Sequence, residues 1–197
     1  GLGDGRVFMI EASEVVRTPL TTVDVTRSVC ELTLNDTPAC LVSSDPELLK
    51  QTLYRGRAIQ AADTLGAAQY MLDEAVAYAL ERKQFNRVIG SFQAVKHMCA
   101  EMASQLEPCR AFVWYAGHAF DEAADEAALT ACHAKAHLAE VGQFVAKTST
   151  EVHGGMGFTD LVGLHYWFKR IGFNRQLLGS PEAVRQEAAV LDELRRP

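Results

Sequence analysis

The sequence predicts a mainly α protein, an up-down bundle of the four-helix type preceded by a short antiparallel β segment. Three observations predict it. The texture of the chain changes once, near residue 45; beyond that point apolar residues recur at sums of three and four; and the apolar stretches are joined by short corners, which favour antiparallel helix neighbours. The chain therefore divides into a β segment, residues 1–44, and a helical bundle, residues 45–197.

Within the first part, "RVFMIEA", "TPLTTVD" and "SVCELTLND" are short, rich in Thr and Val, and bounded by turn residues, as antiparallel strands are. So small a β segment cannot fold alone and must lean on the bundle, on another chain or on further sequence. Asp45-Pro46-Glu47 is a helix start: Asp45 caps free N–H groups, proline suits the first position, and Glu47 complements the dipole. Leu49, Leu53, Ile59, Ala62, Leu65, Leu72, Val76 and Leu80 then form one apolar face to about Lys83. A second helix is expected after Ser91, a candidate cap, with Val95, Met98, Met102, Leu106, Val113 and Ala116 on one side and Pro108 as a kink site. A third spans about Glu126 to His153, ending where Gly154-Gly155 can adopt a left-handed turn. A shorter helix covers about Leu161 to Asn174, and the last opens at Ser180-Pro181-Glu182.

Composition bounds the function. With 197 residues, 48% of them hydrophobic, the chain can bury one substantial core. A net charge of −6 with no run of five basic residues argues against a nucleic-acid partner. No apolar run approaches the roughly 18 residues of a membrane span and no signal peptide opens the chain, so a cytoplasmic protein is expected. The five cysteines lack metal-type spacing and read as reduced, mostly buried thiols. His133 and His137, at i and i+4, have no Glu directly after His133, and no metal site is expected. Trp114 and Trp167 read as core or oligomer contacts.

The chemistry gathers at "ERKQFNRVIGSFQAVKH", residues 81–97. Its residues alone leave two readings open. One is a solvated helix end, with Arg82, Lys83 and Arg87 placed where cations favour the dipole. The other is a phosphate site, with Arg82 and backbone amides holding the charge and Phe85 offering a flat face to a ring.

"LDEAVAYALERKQFNRVIGSFQAVKHMCAEM" and "AKAHLAEVGQFVAKTSTEVHGGMGFT" resemble the C-terminal part of the acyl-CoA dehydrogenase family, and the similarity runs over most of residues 45 to 185. ERxQF, IGxFQxVKH and VHGGxGFT carry it at the family's spacing. Residues 17–34 resemble the last strands of that family's middle β domain, which makes residues 1–44 a remnant of it. The resemblance implies FAD chemistry: a carboxylate removes the α-proton of an acyl-CoA thioester, the β-hydrogen leaves as hydride to the flavin, and electrons pass to an electron-transfer acceptor. It also implies a homo- or hetero-oligomer, dimer or tetramer, in which the ERxQF corner reaches a neighbouring subunit's FAD. By matching position, Arg82 binds the pyrophosphate, Gln84 and Phe85 line the cofactor, and Phe92 and Gln93 support its adenosine end. Val152, Gly154 and Gly155 match the glycine turn that approaches FAD, and Ser180 falls on the cofactor side.

The chain departs from the family pattern in three respects. The N-terminal helical domain and the larger part of the middle domain have no counterpart. Glu151 stands where the family often has glutamine, which puts a negative charge near a phosphate unless it points away or is neutralised. The two seats of the family's catalytic glutamate hold Leu178, in "LLGSPEAVR", and Gly56, in "LYRGRAIQAAD", so no catalytic residue is assigned. This pattern resembles the non-catalytic-type subunits of heteromeric acyl-CoA dehydrogenases, known among bacteria that degrade steroid side chains. The alternatives are a fragment of a full-length member and a cofactor-free scaffold that keeps the bundle only for oligomerisation.

Overall fold

The computed structural model describes residues 5–194. Two ribbons precede the bundle: β1 (Val7–Met9) pairs antiparallel with β4 (Cys40–Ser43), and β2 (Val16–Leu20) with β3 (Val29–Thr33). The Thr- and Val-rich segments hold β1, β2 and β3. Strand β4, only four residues long and set behind the Asn35–Pro38 turn, carries no alternation that would announce it.

Five helices follow: α1 (Pro46–Glu81), α2 (Gln93–Glu122), α3 (Ala124–His153), α4 (Leu164–Gln176) and α5 (Pro181–Glu193). The α1 start forms as its residues dictate, with the Asp45 carboxylate accepting from Glu47 N at 2.9 Å. At α5, Ser180 Oγ accepts from Ala183 N at 3.4 Å and Pro181 takes the first position. Between α2 and α3 only Ala123 intervenes, so the pair folds back as a tight αα-hairpin. Among the described residues no helix is long and apolar enough to cross a membrane.

The single apolar face expected on α1 is corrected by the structure. Ile59 is 71% and Leu80 65% exposed, while Ala61, Ala67, Ala68, Met71, Ala75 and Ala79 are buried against the other helices. Small residues line the buried face because α1 and α3 approach closely. At Gly142 of α3, a Cβ would lie 2.6 Å from Thr64 Cγ2. Close approach selects Ala, Thr and Gly at the contact; Leu65 and Leu72 of the expected face are buried with Met71, while Ile59, Val76 and Leu80 are left on the opposite side. Ser91 is not the α2 cap either: the N-cap is Phe92, and the Ser91 hydroxyl donates to Val88 O at 2.7 Å. Helix α2 runs unbroken through Pro108, and α4 begins three residues later than expected, after the left-handed Gly163. Trp114 is 70% exposed and does not belong to the core. Of the cysteines, Cys109 and Cys132 are buried, whereas Cys30 and Cys40 are exposed; all five are free.

The predicted corner is a miniature hairpin. Strands β5 (Lys83–Gln84) and β6 (Arg87–Val88) pair across Phe85 and Asn86, whose φ values of 51° and 60° are both left-handed, as a two-residue primed turn requires. Asparagine tolerates that region readily; an aromatic residue does so at a cost.

The β2–β3 ribbon is tied to the bundle at one carboxylate. Asp63 of α1 accepts from Arg27 Nη2 at 2.6 Å, from Arg170 Nη2 at 2.5 Å and from Asn174 Nδ2 at 2.6 Å. Arg27 also donates to Asn174 Oδ1 at 2.5 Å, and Arg170 to Thr26 Oγ1 at 3.0 Å. Burial works to raise the Asp63 pKa, but the hydrogen bonds from Arg170 and Asn174 and the charges of Arg170 and Arg27 outweigh it, and the carboxyl is held below its ordinary value. Asp63→Asn is therefore expected to cost about 2 kcal/mol, a fall in Tm of roughly 4–8 °C. Because the folded-state pKa is depressed, this contribution is complete above about pH 5 and disappears as pH falls below about 4. Thermal melts of both proteins between pH 7 and pH 3 should converge at the acid end.

Candidate functional site

The end of α1, the hairpin and the end of α3 enclose a groove of about 480 Å³, lined by Tyr78, Arg82, Gln84, Ile89, Glu151, Val152, His153, Gly154, Gly155 and Met156. Its shape follows from local bonding. Arg82 N donates to Tyr78 O at 2.8 Å, closing α1, and Ile89 N donates to Arg82 O at 2.8 Å, bringing the far side of the hairpin back. The Arg82 backbone is thus held from both sides, while its exposed guanidinium makes no ion pair among the described residues. His153 is buried with its ring stacked on Tyr78 at 4.5 Å between centroids, and its Nδ1–H donates to Ser149 O at 2.8 Å. This stack pins the end of α3 to the end of α1 and makes His153 a packing residue.

The turn beyond α3 is set by Gly154, at φ 59° and ψ −140°, a region closed to other residues without strain. Gly155 is different. Its φ is ordinary and a Cβ there would meet nothing within 4 Å, so packing within the chain does not call for glycine. Glu151, exposed, faces the same groove.

The groove thus joins Arg82, Gln84, Val152, Gly154 and Gly155, which lie up to 73 residues apart in sequence. Phe85, Phe92, Gln93 and Ser180 do not line it. Phe85 stands at the hairpin tip, 86% exposed, with its ring edge-on to Phe92 at 6.2 Å. Arg87 lies over the other ring, 4.0 Å from the Phe92 centroid, so Phe92 anchors the hairpin. Gln93 is exposed at the first position of α2, and Ser180 caps α5. Sequence reasoning missed Tyr78, one helical turn before Arg82; that i, i+4 spacing was the available signal.

A second locus surrounds Leu178, at φ 61°, on the turn between α4 and α5. Arg57 of α1, 5% exposed, donates through Nε to Leu178 O at 3.0 Å. It also pairs with Glu187 at 2.8 Å and donates to Cys132 Sγ at 3.2 Å, and Tyr54 donates to Glu187 at 2.8 Å. Burial and then the bond to Glu187 push the Tyr54 hydroxyl well above its ordinary pKa. Nearby, Lys135 donates to Asn174 O at 2.6 Å and Arg175 O at 3.2 Å, closing the C-terminus of α4. Burial, followed by the charges of Arg57 and Arg175, lowers its pKa to about 8. Glu182 has its pKa lowered to about 2 by its own backbone N–H, by the Ser180 hydroxyl and by Arg175, 2.8 Å away.

A bundle of this order, with a hairpin and a glycine turn around one groove, defines a C-terminal helical domain of the acyl-CoA dehydrogenase type. The chain belongs to the acyl-CoA dehydrogenase family: residues 47–189 match the family profile for the acyl-CoA dehydrogenase C-terminal domain. It is 32% identical over 194 residues to the acyl-CoA dehydrogenase FadE34 of Mycobacterium tuberculosis, covering 95% of this chain and 26% of that protein. The solved Tcur3481–Tcur3483 steroid ACAD superposes with a TM-score of 0.87 at 30% identity, over 96% of this chain and 52% of that one. The ChsE4–ChsE5 complex of Mycobacterium tuberculosis superposes at 0.80 with 26% identity, over the whole of this chain and 51% of that one. The chain thus spans about half the length of the solved chains and about a quarter of FadE34.

The two glycines should separate in a stability measurement. Gly154→Ala forces a side chain into disallowed backbone space and is expected to cost about 1–3 kcal/mol. Gly155→Ala should stay within about 0.5 kcal/mol of the parent in urea unfolding, because its Cβ enters open space.

Proposed function

We propose that this chain is a flavin-contacting, non-catalytic-type part of an FAD-dependent acyl-CoA dehydrogenase, acting on acyl-CoA with a partner that supplies the base. The observation that supports it best is the groove: an unpaired Arg82 opposite Gly154 and Gly155, the second of which leaves room that packing does not require. The Arg82 guanidinium suits a phosphate that approaches the glycine backbone, and members of the family are generally FAD-dependent. FAD, when bound, supplies the acceptor for the hydride of the β-carbon.

In this reading Arg82 holds the pyrophosphate, Val152, Gly154 and Gly155 shape the close approach, and Gln84 lines its edge. Phe85 presents its ring to the cofactor of a neighbouring subunit from a tip that Phe92 and Arg87 hold rigid, with Gln93 beside the adenosine end. Ser180 contributes its cap to α5 and reaches the cofactor side only through that turn. The Glu151 carboxylate would repel a phosphate, so it turns toward hydrogen-bond donors of the ligand or to solvent. Neither Leu178 nor Gly56 can take a proton, and Glu182, ionised and paired with Arg175, is too weak a base. The α-proton is therefore removed by a carboxylate of the partner, and the electrons leave to an electron-transfer acceptor. Pairing of two differently named chains in the ChsE4–ChsE5 complex supports a heteromeric assembly.

A second reading, the C-terminal part of one longer polypeptide, is favoured by the ribbons. Phe8, Met9, Val16, Leu20, Leu32, Leu41 and Val42 are each about half exposed, an apolar surface that further β structure would cover. In either case the acyl and flavin pocket is completed by sequence outside this chain.

Arg82→Ala should weaken flavin binding by about tenfold or more, the effect of losing a charge-assisted contact, while leaving the melting curve of the apoprotein in place. Absorbance near 450 nm of the purified assembly reads this directly; unchanged flavin content would make the corner a solvated helix end, and a parent assembly without flavin would favour the cofactor-free scaffold. The chain alone, given FAD and an electron acceptor, should not oxidise acyl-CoA. Turnover should appear on mixing with a partner bearing the glutamate and vanish when that glutamate is replaced by glutamine. Robust turnover by the isolated chain would overturn the assignment.

A further inference from the structure

The groove of about 480 Å³ stands at the C-terminal ends of two helices. Tyr78 and Arg82 bring the end of α1 to it and Glu151, Val152 and His153 the end of α3, so it faces the negative poles of two macrodipoles, each worth about half an elementary charge. The last turn of a helix favours cations, yet Glu151 puts a carboxylate there. Of the Lys, Arg, Asp and Glu side chains described, only Arg82 and Glu151 line the groove, and neither makes an ion pair among the described residues, with the other or elsewhere. Two opposite charges share one groove and leave each other unspent. Their backbones are fixed: Arg82 N donates to Tyr78 O, Ile89 N to Arg82 O and Gly154 N to Glu151 O, and the Tyr78–His153 stack joins the two helix ends. A bare anion is poorly served here, because Arg82 attracts it while Glu151 and both helix ends oppose it. Hydrogen-bond donors are well served, since a carboxylate accepts hydroxyl protons in charge-assisted bonds about twice as strong as neutral ones. The volume is that of a small-molecule site, with room for more than an ion.

We propose that the groove reads a phosphate standing beside the hydroxyls of a sugar or sugar alcohol, with Arg82 holding the phosphate and Glu151 accepting from the hydroxyls, and that it discriminates against phosphates lacking such donors. Glu151 is then a specificity residue. That the ligand is part of FAD rests on the function proposed above; the two unspent charges in one groove do not.

Calorimetry on the chain tests this with two sugar ligands, each set against its bare anion. ADP, which carries a ribose, is compared with inorganic pyrophosphate, and FMN, which carries a ribityl chain, with inorganic phosphate. At least one sugar ligand should bind the parent about tenfold or more tighter than its anion. Glu151→Gln removes the charge and keeps an acceptor. It should tighten the bare anions by about three- to tenfold and leave the sugar ligand unchanged or weaker, so that the ratio narrows. Narrowing with ADP assigns Glu151 to the ribose and narrowing with FMN to the ribityl chain, and either supports the proposal. A ratio that Glu151→Gln leaves unchanged for both pairs would make Glu151 a source of repulsion only and overturn the proposal. Anions that bind the parent as tightly as both sugar ligands, or no heat from ADP and FMN at millimolar concentration, would overturn it too. Should Glu151→Gln fail to fold, Glu151→Ala serves in its place with the same narrowing expected. Arg82→Ala should weaken every ligand that binds; if it does so while Glu151→Gln leaves the ratios unchanged, the flavin reading stands and the donor reading alone fails. Unchanged binding by Arg82→Ala would sink the flavin reading itself.

Discussion

One carboxylate holds the parts of this chain in register. Asp63 lies midway along α1 and receives hydrogen bonds from Arg27, between β2 and β3, and from Arg170 and Asn174 of α4. Two cations against one anion in a half-buried place would be costly, but Asp24, 1% exposed, lies 3.9 Å from Arg27 and accepts from Thr26 N and Oγ1, completing the charge balance. The β2–β3 ribbon is too small to fold by itself, and this network ties its connection to the bundle. It also fixes the rotation of α4 about α1, which sets where the α4–α5 turn, and with it Leu178, can lie.

The same economy governs the bundle's interior. Close approach of α1 and α3 is obtained with alanine, threonine and Gly142, which bury little apolar area per residue. Several polar groups are therefore admitted to the core, each tied to a backbone or a carboxylate: Lys135 to two α4 carbonyls, Ser149 to Met71 O at 2.7 Å, and Arg57 to Leu178 O and Glu187. These bonds specify how the helices meet more sharply than alanine contacts alone can, because an unpaired buried donor is expensive.

Much of this was legible in the sequence, and the failures share a cause. Helix starts at Asp45-Pro46 and Ser180-Pro181 and the stop at Gly154 are local events, written in residues that touch their own backbone, and the structure has them where the residues put them. The buried face of α1 was misread because burial there is decided by α3, and alanine signals little by itself. Ser91 was misread because a cap depends on where the hairpin returns, which Ile89 N to Arg82 O determines. For the groove, the motif residues Arg82, Gly154 and Gly155 were found from resemblance. Spacing places Tyr78 one turn before Arg82, but its tertiary ring stack on His153, which holds the two walls together, is not written along the chain.

The arginines that tie the helices and ribbons together are spent within the chain, whereas Arg82, like Arg17, Arg55 and Arg87, makes no ion pair among the described residues. Arg27, Arg57, Arg170, Arg175 and Arg185 each end on a carboxylate of the same chain. A helix end that needed only solubility would be served by Arg82 on any rotamer, with its backbone free to fray. Here the backbone is fixed on both sides, the neighbouring turn is held in glycine-only space, and the His153–Tyr78 stack locks the two walls together, yet the guanidinium itself is unspent. In the function proposed above, rigid walls around Arg82 reduce the entropy lost when an anion binds, against the opposing charge of Glu151 in the same groove. The hairpin sets Phe85 at its tip in left-handed backbone that the two-residue turn requires, with the ring 86% exposed and edge-on to Phe92.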